Sequence, residues 1–215
     1  MFALMGDSPH KFVMKGDYRK FADRPQVQQT GAQRPGGNGL RGFCIHRTFF
    51  ENDFIYFCRG FRACYTQYGS LEALFASASG IWEGISLFRE TMAAGNRGRG
   101  PARTKPATQA DYSKHISNPE AGSACKRLNL ALRWLVRREG PVDLGLWKSI
   151  SPSSLFIPLD LHVGRAAREL GFLDSSRKGN DKKAVISITE KLRELCPEDP
   201  IKYDLALFGY SLGNA

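Results

Sequence analysis

Asp160 separates two kinds of sequence, and the change at that point sets the local structure. Before it runs an apolar lead-in, Ile157-Pro158-Leu159. After it comes Leu161-His162-Val163-Gly164-Arg165-Ala166-Ala167-Arg168-Glu169-Leu170-Gly171. A carboxylate here accepts free backbone N–H groups and complements the positive end of a helix dipole, so Asp160 reads as an N-cap. Gly171 supplies the left-handed residue that closes a helix, which gives a span of about 161 to 170. Val163, Ala166, Ala167 and Leu170 then share one face, with His162, Arg165 and Glu169 elsewhere on the wheel. As a cap alone, Asp160 needs no chemistry.

The same grammar recurs along the chain. Ser8-Pro9 opens a brief helix that ends before Gly16-Asp17. Glu51-Asn52-Asp53 caps a long amphipathic helix with Phe54, Phe57, Cys58, Phe61, Cys64, Tyr65 and Tyr68 in its stripe, closed by Gly69. Ser70 restarts a helix through Leu71, Leu74 and Phe75, and 81–92 forms another with Trp82, Ile85 and Phe88 inward. Asn118 caps a helix over 120–138 that buries Ala124, Leu128, Ala131, Leu132 and Leu135. Lys126, Arg133 and Arg137 fall in a narrow stripe on another of its faces, since seven residues are nearly two turns. Gly140-Pro141 stops it, and Ser151-Pro152-Ser153 is a capped turn. Asn180-Asp181 starts a helix to Leu195, with Ala184, Val185, Ile188 and Leu192 inward. Asp199 caps a last helix over 200–208, closed by Gly209. No stretch alternates like a strand, and no internal repeat stands out. The expected fold is all-α, a single helical domain over 1–215, with flexible loops at 26–42 and 95–117 where Gly, Pro and basic residues replace apolar ones.

Charge narrows the partner. Lys and Arg number 31 against 21 Asp and Glu, a formal net charge of +10 that suits a polyanion such as a phosphate backbone. Five cysteines, odd in number and without a Cys-x-x-Cys pair, predict reduced thiols in a cytoplasmic protein. No metal-ligand spacing or other cofactor signature is present, so no cofactor is expected. No apolar run approaches the roughly 20 residues of a bilayer span, so no membrane partner is expected either.

The Asp160 stretch resembles the Val-Asp-Thr-His-Val-x-Arg-Val-x-x-Arg-Leu-Gly segment of the helix-hairpin-helix DNA glycosylases. Asp160, His162, Arg165 and Leu170-Gly171 stand in register, while Leu161 replaces the Thr. From about Asp7 onward the chain is also similar to a family of uncharacterised bacterial proteins. Against that family it begins late, so an upstream helical part is expected to be missing. The glycosylase resemblance implies a multi-helix fold, DNA as partner, and Asp160 as the catalytic carboxylate. It further implies an attacking lysine. Lys126, 34 positions before Asp160 (160 − 126), matches the archaeal oxoguanine glycosylases, and Lys148, 12 positions before it (160 − 148), matches the hairpin position of other members. Lys126 is favoured. Arg165, Arg168, Lys148, Arg133 and Arg137 are the cations expected to hold the DNA. His162 is expected to fill a polar gap and Asp204 to be structural. The family's Leu-Pro-Gly-Val-Gly hairpin is replaced by Pro141-Val142-Asp143-Leu144-Gly145-Leu146-Trp147-Lys148, without the paired glycines whose backbone N–H groups hold a phosphate. The expected function is a DNA base-excision glycosylase with a lyase step. A non-catalytic nucleic-acid-binding protein and a helical protein-interaction module are the alternatives.

Overall fold

Side-chain caps at Ser8, Ser70, Asp160 and Asp181 open four of the helices where the sequence predicts them. The structure, a computed structural model, describes residues 5–6, 8–22, 44–97 and 113–213. It is mostly helical. The helices are α1 (Pro9–Lys15), α2 (Arg19–Ala22), α3 (Glu51–Tyr68), α4 (Leu71–Ala76), α5 (Ile81–Asn96), α6 (Lys126–Val136), α7 (Leu161–Glu169), α8 (Lys182–Leu195) and α9 (Asp204–Gly213). The described fold groups into two compact units, Met1–Gly69 with Glu90–Ser113, and Ser70–Arg89 with Lys114–Ala215. The loop expected at 26–42 lies outside the described residues, as do 98–112 of the second loop.

In the first unit, Ser8 Oγ accepts from the Lys11 amide and Gly16, at φ 80°, closes α1. Phe12, Phe21 and Phe54 meet with ring centroids 5.8 to 6.5 Å apart and form the centre of its core. A two-stranded antiparallel ladder, β1 (Cys44–His46) and β2 (Phe49–Phe50), leads directly into α3. These strands are too short for alternation to register in sequence. Glycines let α3 and the Glu90–Asn96 part of α5 approach closely. A Cβ on Gly60 would stand 2.4 Å from the Met92 sulfur, and one on Gly95 would stand 2.8 Å from the Arg59 carbonyl. The Asn96 side chain then donates to the Tyr56 carbonyl at 2.9 Å.

The second unit is built around α8, whose Ala184, Val185, Ile188 and Leu192 are all buried, as expected. Leu155, Ile157 and Leu159 are buried in turn along an extended segment that crosses it, and the Ile157 amide donates to Thr189 Oγ1 at 3.2 Å. That segment delivers Asp160 to the start of α7, where Val163, Ala166 and Ala167 turn inward. Leu170, expected inward, is 44% exposed because the helix has already ended at Glu169.

Two helices differ most from expectation. The helix expected from residue 120 begins only at Lys126. Asn118 closes a turn instead, with Oδ1 accepting from the Glu120 amide and its carbonyl accepting from Ser123, while Gly122 (φ 81°) and Cys125 (φ 47°) break any helical path. At the other end, a 3-10 turn (Pro200–Tyr203) precedes α9, which runs through Gly209 to Gly213. Asp199 does not cap it, because its carboxylate is bound to Arg137. A helical glycine costs only about 1 kcal/mol, so Gly209 alone does not stop a helix.

Candidate active site

Asp160 does two things with its two oxygens. Oδ1 accepts from the Val163 amide at 2.8 Å, which is the predicted cap, and Oδ2 receives the Lys126 amine at 3.1 Å. Its main-chain carbonyl takes the Asn180 side-chain amide at 2.9 Å, a brace from the loop before α8. That brace passes over Gly164, where an added Cβ would stand 2.7 Å from the Asn180 side chain. Burial raises the Asp160 pKa, but the Val163 amide and Lys126 together outweigh it, and the carboxyl rests below the usual range. The side chain of Asp160 is 16% exposed and that of Lys126 is 47% exposed, so the carboxylate is largely covered while the amine reaches solvent.

Lys126 is placed by the turn before it. Cys125 is buried and left-handed, a conformation that costs a residue bearing a Cβ about 1 kcal/mol or more. Ser123 Oγ accepts the Cys125 amide at 3.2 Å, and the Lys182 amide donates to the Gly122 carbonyl at 2.8 Å, tying the start of α8 to this turn. Both helices therefore begin with adjacent cations, Lys126-Arg127 and Lys182-Lys183, and neither has an acidic residue in its first turn. Cations there oppose the helix dipole and concentrate positive potential. Arg127 and Lys183 are exposed, while Lys182 lies 4.8 Å above the Trp82 ring. The sequence reading did not single out these pairs, although each directly follows a turn or cap signal.

The other expected cations divide sharply. Arg165 is exposed on α7. Arg168 folds back instead, donating to the carbonyls of Gly164, Arg177, Lys178 and Gly179 and to Asn180 Oδ1, and so shapes a loop. Arg133 and Arg137, expected to hold DNA, are instead buried, being only 2% and 3% exposed. Arg133 pairs with Asp204 at 2.5 Å and with Asp143 at 3.2 Å; Arg137 pairs with Asp143, Glu139 and Asp199. The stripe of α6 that carries Lys126, Arg133 and Arg137 is thus exposed only at its start, at Lys126, and buried further along, where Asn129 and Arg133 turn inward while Leu128, Ala131 and Leu135 are only half-buried. Burial, against the pull of Arg133, holds the Asp204 carboxyl above its usual range. His162 packs edge-on to Phe208 at 5.2 Å, with Ser211 Oγ 3.5 Å from Nδ1.

Lys148 is exposed and its amine turns to the Gly145 carbonyl rather than to Asp160. The segment 141–148 follows α6, and four of its amides are engaged within the fold. Leu144 and Gly145 donate to the Trp134 carbonyl, Trp147 to Leu135, and Lys148 to Glu72.

Of the two lysines, then, the structure brings Lys126 to Asp160 and holds Lys148 elsewhere. A carboxylate kept ionised beside an amine, at the meeting of two basic helix starts, can stabilise developing positive charge and offers a nucleophile next to it. Among the described residues no group of His, Cys, Asp and Glu is arranged to hold a metal ion, and no helix is long and apolar enough to cross a membrane. No curated protein and no solved structure matches the chain. One family profile matches residues 1–213, nearly the whole chain, and by that match the chain belongs to the family described as Protein of unknown function (DUF2400).

Proposed function

We propose that the protein excises damaged bases from DNA as an N-glycosylase, with Asp160 as its carboxylate and Lys126 as the amine of a lyase step. The observation that carries this reading is the pair itself, two groups 34 positions apart that meet at 3.1 Å where two helices begin. Breaking the bond between base and sugar builds positive charge on the sugar, which the ionised Asp160 would stabilise. The Lys126 amine, having given up a proton, attacks the sugar carbon. The carbon–nitrogen bond to the base breaks, its electron pair leaves with the base, and the base takes up the proton. Loss of a further proton from the attacking nitrogen and opening of the sugar ring leave a Schiff base. Lys126 is half-exposed in the free protein, so bound DNA has to cover it, and the target base has to leave the stack. Arg165, Arg127 and Lys183, all exposed, supply cations for the backbone. The non-catalytic nucleic-acid-binding alternative draws on one observation, that both Asp160 oxygens are already engaged in a cap and an ion pair.

The test is base release from a panel of damaged duplexes. Asparagine caps a helix about as well as aspartate, so Asp160→Asn should lose about 1 kcal/mol or less of stability. Its base release should fall at least about a hundredfold, the effect of removing a key electrostatic group. Borohydride should trap a covalent adduct that Lys126→Gln abolishes and Lys148→Gln retains. Parental activity in Asp160→Asn would reduce the carboxylate to a cap, and an inactive wild type would leave the non-catalytic reading.

A further inference from the structure

The pair of Lys126 and Asp160 does not hold its own geometry. An ion pair whose amine is 47% exposed is weak, because water screens it and the lysine stem loses rotamer freedom in forming it. What fixes the two groups is the backbone beside each, and one short segment reaches both. The Asn180 side-chain amide donates to the Asp160 carbonyl at 2.9 Å. Two residues on, the Lys182 amide donates to the Gly122 carbonyl at 2.8 Å, in the turn that delivers Lys126. The segment is itself held from two sides. Asp181 caps α8 through the Ala184 amide at 2.9 Å, and Arg177 donates to both of its carboxylate oxygens at 2.7 and 2.8 Å. From α7, the Arg168 guanidinium donates to three consecutive carbonyls, those of Arg177, Lys178 and Gly179, at 2.7 to 3.3 Å. It also donates to Asn180 Oδ1 at 2.8 Å. An arginine only donates and a carbonyl only accepts, so the Asn180 amide is oriented by both neighbours, its oxygen toward Arg168 and its nitrogen toward Asp160.

We propose that the segment 177–182 is the gauge that sets Lys126 against Asp160, and that Arg168 and Asn180 are positioning residues of the site. The inference rests on the reading of Asp160 and Lys126 as the reacting pair. An attacking amine and the carboxylate beside it must be placed to within a fraction of an ångström, which two flexible side chains do not achieve and a backbone tied at both turns does. Arg168 acts through Asn180 on the start of α7 and touches no substrate. Its planar fork is what the task requires, since it meets three carbonyls and an amide oxygen at once, whereas a lysine amine is a single point.

Burial raises the Asp160 pKa, and the Val163 amide and then Lys126 bring it below the usual range, so the titration of this carboxyl reports the pair. The experiment follows the Asp160 carboxyl carbon by NMR through a pH titration, which needs no substrate. Asn180→Ala and Arg168→Lys are compared with wild type, and neither changes the charge of the protein. Lys126→Gln marks the loss of the partner, and Arg193→Lys, at the far end of α8, is the control. Asn180→Ala and Arg168→Lys should both raise the Asp160 midpoint in the direction of Lys126→Gln, while Arg193→Lys leaves it in place. In base release, the same two variants should lower kcat at least about tenfold and leave KM within about twofold. An unmoved Asp160 in the folded variants would overturn the proposal. So would a raised KM with kcat unchanged, which would make Arg168 a DNA contact. If Arg168→Lys does not fold, Asn180→Ala carries the test. A wild type inactive on every lesion would remove the glycosylase reading alone, and the titration would still decide the positioning role.

Discussion

Arginines read alike in sequence and differ in structure because a guanidinium goes wherever carboxylates are. Arg133 and Arg165 both looked like surface cations, yet one sits among Asp143 and Asp204 in the core and the other projects from α7. Their substitutions should separate accordingly. Removing one member of a buried ionic cluster leaves charges uncompensated, so Arg133→Gln should lose about 3–5 kcal/mol in denaturant unfolding. Asp204 magnifies this loss, because burial already opposes its ionisation. Arg165→Gln should stay within about 0.5 kcal/mol of wild type, as surface substitutions do. It should weaken DNA binding if the proposed function holds. Equal stability losses in both variants would contradict the burial of Arg133.

At the scale of elements, α7 is the piece whose start and interior must both be right for Asp160 to stand where it does. Its cap was legible, since a carboxylate before an apolar-periodic run acts on its own next turn. Its brace was not, because Asn180 reaches the Asp160 carbonyl from 20 positions away. Gly164 reports on that brace. A methyl there would meet Asn180 at 2.7 Å and Arg168 at 2.9 Å, so Gly164→Ala should destabilise by about 1–3 kcal/mol as an overpacking change. The intrinsic helix preference for alanine, about 1 kcal/mol, acts the other way and is smaller. Thermal or denaturant unfolding decides the sign. A gain in stability would mean that Asn180 yields without cost. In α6 the sequence misled, because Asn118 before Pro119 and Glu120 has every mark of a cap. The positive φ values at Gly122 and Cys125 delay the helix to Lys126 and put that lysine in its first turn.

For the whole molecule, the net charge of +10 is the property that any polyanion meets first. Arg133 and Arg137 are taken up in ion pairs with carboxylates, while Lys126, Arg127, Lys183 and Arg165 remain outward. DNA affinity should therefore fall steeply with salt, with a log–log slope of about −3 or steeper between low and physiological salt, as several phosphate contacts release counterions. A flat slope in a binding titration would make the charge incidental and favour the protein-interaction reading. By itself the sequence determined the helical class, the starts of α1, α4, α7 and α8, and the inward faces of α8 and most of α7. Caps, glycine stops and apolar spacing act within a turn or two of where they are written, so they survive without the rest of the fold. Only the tertiary structure decided which lysine faces Asp160, which arginines are buried, and that Glu72 holds the loop at Lys148. Those pairings join residues 34, 71 and 76 positions apart, and their geometry depends on the path of all the chain between them.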